Sequence, residues 1–363
     1  MRLLLAGGGT GGHLFPAVAL AQLLLRQNND AKVLFVGTER GLERRMLPKL
    51  GLPLATIDMV GVVGRGWRGR LELVPKLLKS FYQARRILKK FAPEMVVGVG
   101  GYASVPVLLS AKWLGIPYVI HEQNAIPGLS NRLLGRWARL VCLSFPHSGQ
   151  GFVAEKTLVT GNPLRTGFEN IADSVPQQNT LLIFGGSRGA RAINQTVVKI
   201  LPILKNWEQE PFILHQTGDE DFHEVQQAYR DADYEQARVV PFIEEMAQAY
   251  SQASLVICRA GATTLAELTV CGRPAILIPF PFAAADHQSA NAKMLEDAGA
   301  ARMIPQKELT AAVLAEEIKT LLSDVPRLRE MSRKGRDLGI PCAAERILKE
   351  CRALLGTRNR EEN

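Results

Sequence analysis

Residues 2–17 read RLLLAGGGTGGHLFPA, and this stretch decides the fold. A short apolar run leads into five glycines within six residues, and an apolar segment with helical spacing follows. A strand, a glycine turn and a helix in this order are typical of the first unit of a doubly wound α/β domain, where glycine lets the backbone approach a ligand. The helix N-terminus after the turn offers N–H groups and partial positive charge to an anion.

The same alternation continues along most of the chain. Apolar runs rich in Val, Ile and Leu predict strands, and the longer periodic segments between them predict helices, which indicates parallel sheets covered on both faces. The strands are expected in two series, near Arg2–Ala6, Lys32–Val36, Met95–Val99, Tyr118–His121 and Leu140–Leu143, and then near Thr180–Phe184, Phe212–His215, Ala237–Val240, Leu255–Cys258 and Ala275–Ile278. The predicted fold class is therefore α/β, with two Rossmann-like doubly wound domains facing across a cleft.

The length of 363 residues also favours two domains. Gly161, Asn162 and Pro163 end the first series, and the polar stretch 172–179 precedes the second. We expect an N-terminal domain over 1–162 and a C-terminal domain over 163–340. A helix over 341–356 is expected to pack back on the N-terminal domain, with a disordered tail at 357–363.

The net charge of +9 is concentrated in the first half of the chain. Residues 1–160 hold 21 Lys and Arg against 8 Asp and Glu, whereas residues 161–363 hold 23 against 27. Such asymmetry indicates an anionic partner, either nucleic acid or an anionic membrane surface. Because the sequence contains neither a recognised RNA motif nor a stacking array, we predict no nucleic-acid partner.

Membrane association is expected to be peripheral and on the cytoplasmic side. The N-terminus lacks the pattern of a secretion signal. The longest uncharged stretch, 95–111, is too short and too interrupted by glycine and proline to span a bilayer. The basic segment 61–70 contains Arg65, Trp67 and Arg68, and its loop is the predicted membrane contact. The helix that follows to residue 91 is interpreted as an ordinary amphipathic helix on the sheet.

Two more strand-loop-helix junctions carry candidate chemistry. Gly185–Arg191 contains Ser187, which can bond a phosphate oxygen, and Cys258–Glu267 brings a helix start suited to a diphosphate. Glu267 can hold ribose hydroxyls or simply stabilise the first turns of its helix. Small residues at such turns also have a purely structural use, because doubly wound sheets need them where a strand turns into a helix.

The first glycine segment leaves another alternative open. Gly7–Gly12 also fits the dinucleotide fingerprint, with Glu39 as the acid that binds ribose, so a nicotinamide or flavin enzyme stays an alternative.

Polar side chains end two further strands of the predicted sheets. His121–Asn124 and Asp286–Gln288 lie where doubly wound folds bind ligands, and their chemistry suits sugar hydroxyls. No His, Cys, Asp and Glu residues have metal-ligand spacing, and the sequence has no Asp-x-Asp. We therefore predict no cofactor and no obligatory protein-bound metal.

Seven strings together resemble the bacterial peptidoglycan glycosyltransferases of family 28, which have the two-domain GT-B fold. The strings are GGGTGGH (7–13), GVGGY (98–102), HEQNAIPGLSN (121–131), GNPLR (161–165), GGSRGA (185–190), CRAGATTLAE (258–267) and DHQSANA (286–292). The resemblance covers nearly the entire chain. It implies inverting transfer of N-acetylglucosamine from UDP-N-acetylglucosamine to the 4-hydroxyl of undecaprenyl-pyrophosphoryl-MurNAc-pentapeptide (lipid I), giving lipid II.

The resemblance also implies roles for individual residues. The C-terminal domain would hold the nucleotide. Donor contacts are implied for Thr10, Gly11, Gly12, Asn124, Arg165, Ser187, Ile243, Ala262, Thr263, Thr264, Leu265, Ala266, Glu267, His287 and Gln288. Arg165 and the Ile243 backbone would contact uracil, and Glu267 would contact ribose. Where family members carry a Gln pair, this chain has His287-Gln288, which leaves the role of His287 open.

For catalysis, His13 is the first candidate general base and Glu122 the second. His13 can alternatively position the acceptor pyrophosphate. Gly100, Gly101 and Tyr102 are expected on the acceptor side. The resemblance implies lipid I and an anionic membrane as partners, and it suggests cell-wall or division proteins. A different acceptor stays open, because a fold alone does not determine the substrate.

Overall fold

The structure is a computed structural model that describes residues 1–39, 41–59, 73–168, 171, 176 and 179–361. The predicted membrane-contact residues Arg65, Trp67 and Arg68 lie outside the described residues. The chain divides into two compact units. Unit 1 comprises Met1–Arg165 and Cys342–Asn363, and unit 2 comprises Thr166–Pro341. The break at Arg165 is three residues beyond the predicted boundary.

Unit 1 is built on a seven-stranded parallel sheet with the order β3-β2-β1-β4-β5-β6-β7. Its strands are β1 Arg2–Ala6, β2 Lys32–Thr38, β3 Leu54–Ile57, β4 Met95–Gly98, β5 Tyr118–Glu122, β6 Leu140–Leu143 and β7 Thr157–Val159. Its helices are α1 Gly11–Gln27, α2 Leu42–Met46, α3 Leu73–Phe91, α4 Ser104–Trp113 and α5 Leu129–Gly135, joined by the C-terminal helix, Ala343–Glu361.

Unit 2 repeats the same winding with a six-stranded parallel sheet in the order β10-β9-β8-β11-β12-β13. Its strands are β8 Thr180–Phe184, β9 Phe212–Gln216, β10 Ala237–Val240, β11 Leu255–Cys258, β12 Ala275–Leu277 and β13 Ala301–Met303. Its helices are α6 Arg191–Lys205, α7 Phe222–Asp231, α8 Met246–Gln252, α9 Ala262–Cys271, α10 His287–Asp297, α11 Ala311–Ser323 and α12 Val325–Leu338. The C-terminal helix of unit 1, which follows in the chain, is α13. The prediction of two doubly wound α/β domains is confirmed.

The central strands are apolar throughout because both faces of each sheet are covered. In β1, Leu3 and Leu5 belong to one buried cluster, while Leu4 and Ala6 belong to the cluster on the opposite face. Successive side chains of a strand point to opposite faces, so a doubly covered strand has no polar face. This explains why the central strands are visible in the sequence.

Three strands were not predicted, namely β3, β7 and β13. All three lie at the edges of their sheets. Their residues are mostly half-buried or exposed, as in β7, where Leu158 is exposed. An edge strand of three or four residues does not need a continuous apolar run, and its pattern is therefore weak.

The C-terminal helix packs on unit 1 through Ile347, Leu348 and Cys351, which lie in the same buried cluster as α1 residues. It continues to Glu361, so the disordered tail predicted from residue 357 is wrong for 357–361. The Thr357 hydroxyl donates to the carbonyls of Ala353 and Leu354, one turn earlier in this helix.

Candidate active site

The strand order places one candidate binding region in each unit. In each sheet the chain reverses its direction of winding beside the first strand, between β1 and β4 and between β8 and β11. Loops at the carboxyl ends of such neighbouring strands leave in opposite directions, and the crevice between them is where doubly wound folds bind ligands. The loops in question include the glycine-rich segments 7–12 and 185–190 that the sequence singles out.

In unit 1 the two loops approach backbone to backbone. Gly7 has φ of 140°, and a Cβ atom there would lie 2.4 Å from the Gly100 carbonyl oxygen. A Cβ atom on Gly101 would lie 2.7 Å from the Gly8 carbonyl oxygen. Glycine is therefore required sterically on both loops. This packing brings Gly100, Gly101 and Tyr102 beside the loop that begins α1.

Glu43 holds this glycine loop and was missed by the sequence analysis. Its side chain is 1% exposed, and Oε2 accepts from the Gly9 N–H at 2.8 Å. Oε1 accepts from the backbone N–H of Thr38 at 2.9 Å and from the Thr38 hydroxyl at 3.2 Å. The dinucleotide alternative instead assigned Glu39, which is ion-paired with Arg44 and bonded to the Thr56 hydroxyl. A carboxylate bound at the loop disfavours a dinucleotide diphosphate there.

His13 lies in the first turn of α1 and contacts the segment after β5. Its Nδ1 is 3.1 Å from Gln123 Oε1. A Cβ atom on Gly100 would lie 3.1 Å from the His13 ring, so the imidazole stands beside the loop after β4. The first-choice catalytic residue is thus half-buried at the switch point of unit 1.

Glu122, the second candidate base, is buried and engaged in hydrogen bonds. Its Oε1 accepts from the Asn124 backbone N–H at 3.0 Å. Its Oε2 accepts from the Gly128 N–H at 3.0 Å and from Asn131 Nδ2 at 2.9 Å. The carboxylate therefore fixes the 124–131 loop, and Asn124 is held at the start of that loop.

Arg165 belongs to unit 1, although the sequence analysis assigned it to the C-terminal domain. Its guanidinium carbon lies 4.9 Å from the centroid of the Phe15 ring on α1. This contact lies in the range of a cation–π interaction. The expected uracil contact of Arg165 stays a prediction.

In unit 2, Gln216 ties the glycine loop to the segment after β10. Its Nε2 donates to the Gly186 carbonyl at 2.9 Å, and its Oε1 accepts from the Ile243 N–H at 2.8 Å. A Cβ atom on Gly189 would lie 1.8 Å from the Thr217 carbonyl oxygen, which requires glycine there. Ser187 is exposed at the outer part of this loop.

The N-terminus of α9 lies at the carboxyl end of β11, with Gly261 as its N-cap. Thr263 and Thr264 are half-buried in its first turn, whereas Glu267 is buried. The predicted donor residues that are buried on this helix are Ala262, Leu265, Ala266 and Glu267. The Tyr250 hydroxyl donates to Glu267 Oε2 at 3.2 Å. Burial, together with the charge of Glu267, raises the pKa of Tyr250 well above its usual value, so this hydroxyl keeps its proton.

His287 and Gln288 open α10 next to the α9 terminus. Asn291 Nδ2 donates to the Ala260 carbonyl at 3.1 Å, which joins the two segments. Gln288 Oε1 accepts from the Phe280 N–H at 2.9 Å. Just before them, Ala285 and Asp286 have φ of 51° and 53°, a conformation that is costly for non-glycine residues and that clusters at ligand sites.

Unit 1 also exposes an apolar surface on the helices after β3, β4 and β5. We call it the apolar face, and it consists of Leu78, Tyr82, Trp113, Leu129, Leu133 and Trp137, all exposed. Phe81 packs edge-on against Trp113, and Lys112 Nζ lies 3.5 Å from the centroid of the Trp137 ring, so side-chain contacts link α3 to α4 and α4 to the segment just after α5. Lys79, Arg86, Arg132 and Arg136 are exposed on the same helices or just beyond them.

Within the described ranges, no helix is both long and apolar enough to cross a membrane. The described part of the chain also contains no group of three or more His, Cys, Asp or Glu side chains arranged to hold a metal ion.

Comparison with known proteins agrees with this geometry. Residues 3–143 match the glycosyltransferase family 28 N-terminal domain, and residues 180–347 match the glycosyltransferase family 28 C-terminal domain. The chain is 54% identical over 356 residues to the UDP-N-acetylglucosamine--N-acetylmuramyl-(pentapeptide) pyrophosphoryl-undecaprenol N-acetylglucosamine transferase of Syntrophotalea carbinolica, covering 98% of this chain and 99% of the relative. The protein with the same name from Syntrophus aciditrophicus is 48% identical, with 98% and 99% covered.

A solved structure is similar over the same extent. The crystal structure of Acinetobacter baumannii MurG superposes with a TM-score of 0.79 at 37% identity, covering 97% of this chain and 99% of that one. The UDP complex of Staphylococcus aureus MnaA has a TM-score of 0.70 at 14% identity, which shows a shared fold alone.

Proposed function

The chain belongs to glycosyltransferase family 28, and from that premise we propose how its residues transfer N-acetylglucosamine. The enzyme is a UDP-N-acetylglucosamine-dependent N-acetylglucosaminyltransferase that acts on lipid I to give lipid II, a precursor of peptidoglycan. The observation that carries this conclusion is 54% identity to a named relative along 98% of the chain. The site assignments below are our proposals.

We propose that unit 2 binds the donor. The α9 N-terminus directs its N–H groups and the Thr263 and Thr264 side chains at the diphosphate, with Ser187 on the neighbouring loop. Glu267 holds the ribose hydroxyls, and the Ile243 carbonyl meets the uracil N3–H because the Ile243 N–H already donates to Gln216. His287 and Gln288 then read the sugar hydroxyls beside α9.

We propose that unit 1 binds the acceptor and supplies the base. The Gly100–Tyr102 loop receives the acceptor diphosphate on the basic half of the chain, away from the Glu43 carboxylate that occupies the loop before α1. His13 is the general base, because its ring stands at the switch point and is half-buried, whereas the Glu122 oxygens are bonded within the 124–131 loop. Donor contacts from Thr10, Gly11, Gly12, Asn124 and Arg165 remain predictions from the family.

The proposed step is a single displacement with inversion. The muramyl 4-hydroxyl attacks the anomeric carbon, the bond from that carbon to the UDP oxygen breaks, and the hydroxyl proton passes to His13. Preorganised N–H dipoles stabilise the negative charge on the departing diphosphate. Because those dipoles and the two threonines are in place, we propose that the reaction needs no protein-bound metal.

The direct test is a radiolabel-transfer assay with purified enzyme, UDP-N-acetylglucosamine and a short-chain lipid-linked muramyl pentapeptide, run with and without chelator. We expect label in the lipid product in both arms. Label that appears only without chelator would overturn the metal-free proposal. Donor binding without any transfer would overturn the acceptor assignment.

The base assignment is tested with His13→Ala. Removing general-base help is expected to lower kcat by at least about tenfold, while the KM for the donor changes little. His147→Ala is the matched control, because His147 is an exposed histidine of unit 1 outside the proposed site. Turnover of His13→Ala within twofold of the control would exclude His13 as the base.

We propose that the apolar face of unit 1 contacts the membrane, so that the enzyme is peripheral on the cytoplasmic surface. Exposed aromatic and aliphatic side chains among lysines and arginines suit the boundary between lipid headgroups and acyl chains. There the apolar side chains insert into the interface, and the lysines and arginines contact anionic headgroups. The face includes α3, which the sequence analysis interpreted as an ordinary amphipathic helix. The predicted contacts of Arg65, Trp67 and Arg68, and any division-machinery partners, stay predictions.

Vesicle sedimentation tests this surface. The double variant Leu78→Asp with Tyr82→Asp is expected to lower binding to anionic vesicles about tenfold or more, because it removes apolar area and adds negative charge. The control is Ile203→Asp, which makes the same kind of change at an exposed site of unit 2. Equal partitioning of the double variant and the control would exclude the apolar face.

A further inference from the structure

The orientation of the Gln123 side-chain amide is fixed by its surroundings. Gln123 is 1% exposed and follows β5. Its Nε2 lies 3.0 Å from the Val99 carbonyl and 3.1 Å from the His121 carbonyl, and both of these oxygens can only accept. The nitrogen must therefore point at the carbonyls, and Oε1 points away from them. A flipped amide would place oxygen against two oxygens.

This orientation determines which nitrogen of His13 carries hydrogen. His13 Nδ1 lies 3.1 Å from Gln123 Oε1, which is an acceptor without hydrogen. Nδ1 must then be the donor, in the neutral ring as well as in the protonated one. In a neutral imidazole one nitrogen donates and the other accepts, so the acceptor of His13 is Nε2.

His121 anchors the other end of the chain of hydrogen bonds. Its Nε2 lies 3.1 Å from the Gly161 carbonyl and therefore donates, which leaves Nδ1 as an acceptor. Of the two hydrogens on Gln123 Nε2, one is donated to the Val99 carbonyl and the other is shared between the His121 carbonyl and His121 Nδ1, which lies 3.0 Å away. The ring is fully buried, and this burial lowers the pKa of His121 to about 4, so the imidazole stays neutral at physiological pH. Each donor in the chain from Gly161 to His13 meets an acceptor.

We propose that His121 and Gln123 are positioning residues that hold His13 in the tautomer protonated at Nδ1, so that Nε2 receives the proton of the attacking hydroxyl. The inference rests on the proposed role of His13 as the base. When Nε2 takes that proton, Nδ1 keeps its hydrogen and its bond to Gln123, so the ring does not reorient during the step. A neutral amide fixes the tautomer without adding a negative charge beside the acceptor diphosphate.

The tautomer can be measured without any assay of activity. Enzyme labelled with 15N-histidine is examined by long-range proton–nitrogen correlation at about pH 8, where an ordinary histidine is neutral. The His13 signals are identified by their loss in His13→Ala. We expect a protonated Nδ1 and an unprotonated Nε2. A His13 ring protonated at Nε2 in the unaltered enzyme would overturn the proposal.

Gln123→Met tests the coupling to catalysis, because methionine has similar length but its thioether sulfur is only a weak acceptor for Nδ1. We expect the His13 ring to lose its single tautomer, and kcat to fall roughly three- to tenfold with the donor KM within about twofold. Gln216→Met is the matched control, since Gln216 is also a buried glutamine at the end of a strand. It should leave the His13 signals unchanged. Unchanged His13 signals in Gln123→Met would contradict the proposal.

The two hypotheses fail in different ways. If His13→Ala turns over normally while the ring shows the expected tautomer, His13 is not the base and the hydrogen-bond chain still stands. If His13→Ala is impaired and the ring has the opposite tautomer, the base assignment survives and the positioning role of Gln123 is wrong. Should Gln123→Met not fold, the spectrum of the unaltered enzyme still decides.

Discussion

The two units wind their sheets in the same order and place a glycine-rich loop after the first strand, yet they hold that loop differently. In unit 1 the buried carboxylate of Glu43 accepts from the Gly9 N–H. In unit 2 the neutral amide of Gln216 donates to the Gly186 carbonyl. The first arrangement occupies a loop N–H and adds negative charge, whereas the second occupies a carbonyl and adds none.

This difference teaches that glycine spacing alone does not indicate a nucleotide diphosphate site. A loop suited to a diphosphate presents N–H groups and no nearby carboxylate. That criterion supports the proposal that unit 2 binds the nucleotide, whereas the glycines of unit 1 allow the close approach between the loops after β1 and β4.

The largest expected effect comes from removing the carboxylate that distinguishes unit 1. Glu43→Ala removes the acceptor of the buried Thr38 N–H and of the partly buried Gly9 N–H, which is expected to destabilise unit 1 by about 3 kcal/mol. Gln216→Ala removes only neutral bonds and is expected to cost unit 2 about 1 kcal/mol. Hydrogen exchange resolved by peptide measures both units separately.

Glu39→Ala serves as the control for the charge change. Glu39 is exposed, and its ion pair with Arg44 is expected to contribute less than about 1 kcal/mol. If Glu43→Ala lowers the stability of unit 1 no more than Gln216→Ala lowers that of unit 2, the two loops are held equally strongly and the proposed contrast between the units is wrong.

Much of this architecture was predictable from the sequence because the central strands are buried on both faces. A strand such as Leu255–Cys258 has no polar position, and the small residues after it mark the turn into a helix. Three of the four edge strands and the last turns of the C-terminal helix were missed, since half-buried residues need no continuous apolar pattern.

The residues that position the site were less predictable. His13 and Gln123 are 110 residues apart in the sequence. They meet because β1, which leads into the helix of His13, and β5, which ends beside Gln123, lie on either side of β4 in one sheet. Glu43 reads as one charged residue among several near Arg44 and Arg45. Its function depends on the glycines of another segment, which leave the space that its carboxylate fills.

Lowering the pH should reduce the stability of both units by similar amounts, because each contains one fully buried neutral histidine. Burial lowers the pKa of His121 to about 4 and that of His215 to about 3, against 6.5 for an ordinary histidine. Below pH 6.5 the unfolded chain binds a proton that the folded chain does not, so stability falls as pH falls. At pH 5 each histidine is expected to cost its unit about 2 kcal/mol.

Hydrogen exchange at pH 7.5 and pH 5, corrected for intrinsic rates, measures this loss in each unit. The exposed histidines, His147 and His223, are not expected to contribute. A loss confined to unit 1 would mean that His215, bonded to Asn194 and Tyr229, is not a neutral histidine in the folded state.

The smallest expected effect is that variants in the two units change different kinetic parameters. In unit 1 the positioning residues act on the base and should change kcat, whereas Tyr250 in unit 2 positions Glu267 and should change donor binding. Tyr250→Phe removes the 3.2 Å bond to Glu267 and is expected to raise the KM for UDP-N-acetylglucosamine about fivefold at nearly constant kcat. Tyr234→Phe is the control, since its buried hydroxyl donates to the Pro211 carbonyl instead. A fall in kcat without a change in KM would show that Tyr250 and Glu267 serve the chemical step, and the division of labour between the units would be lost.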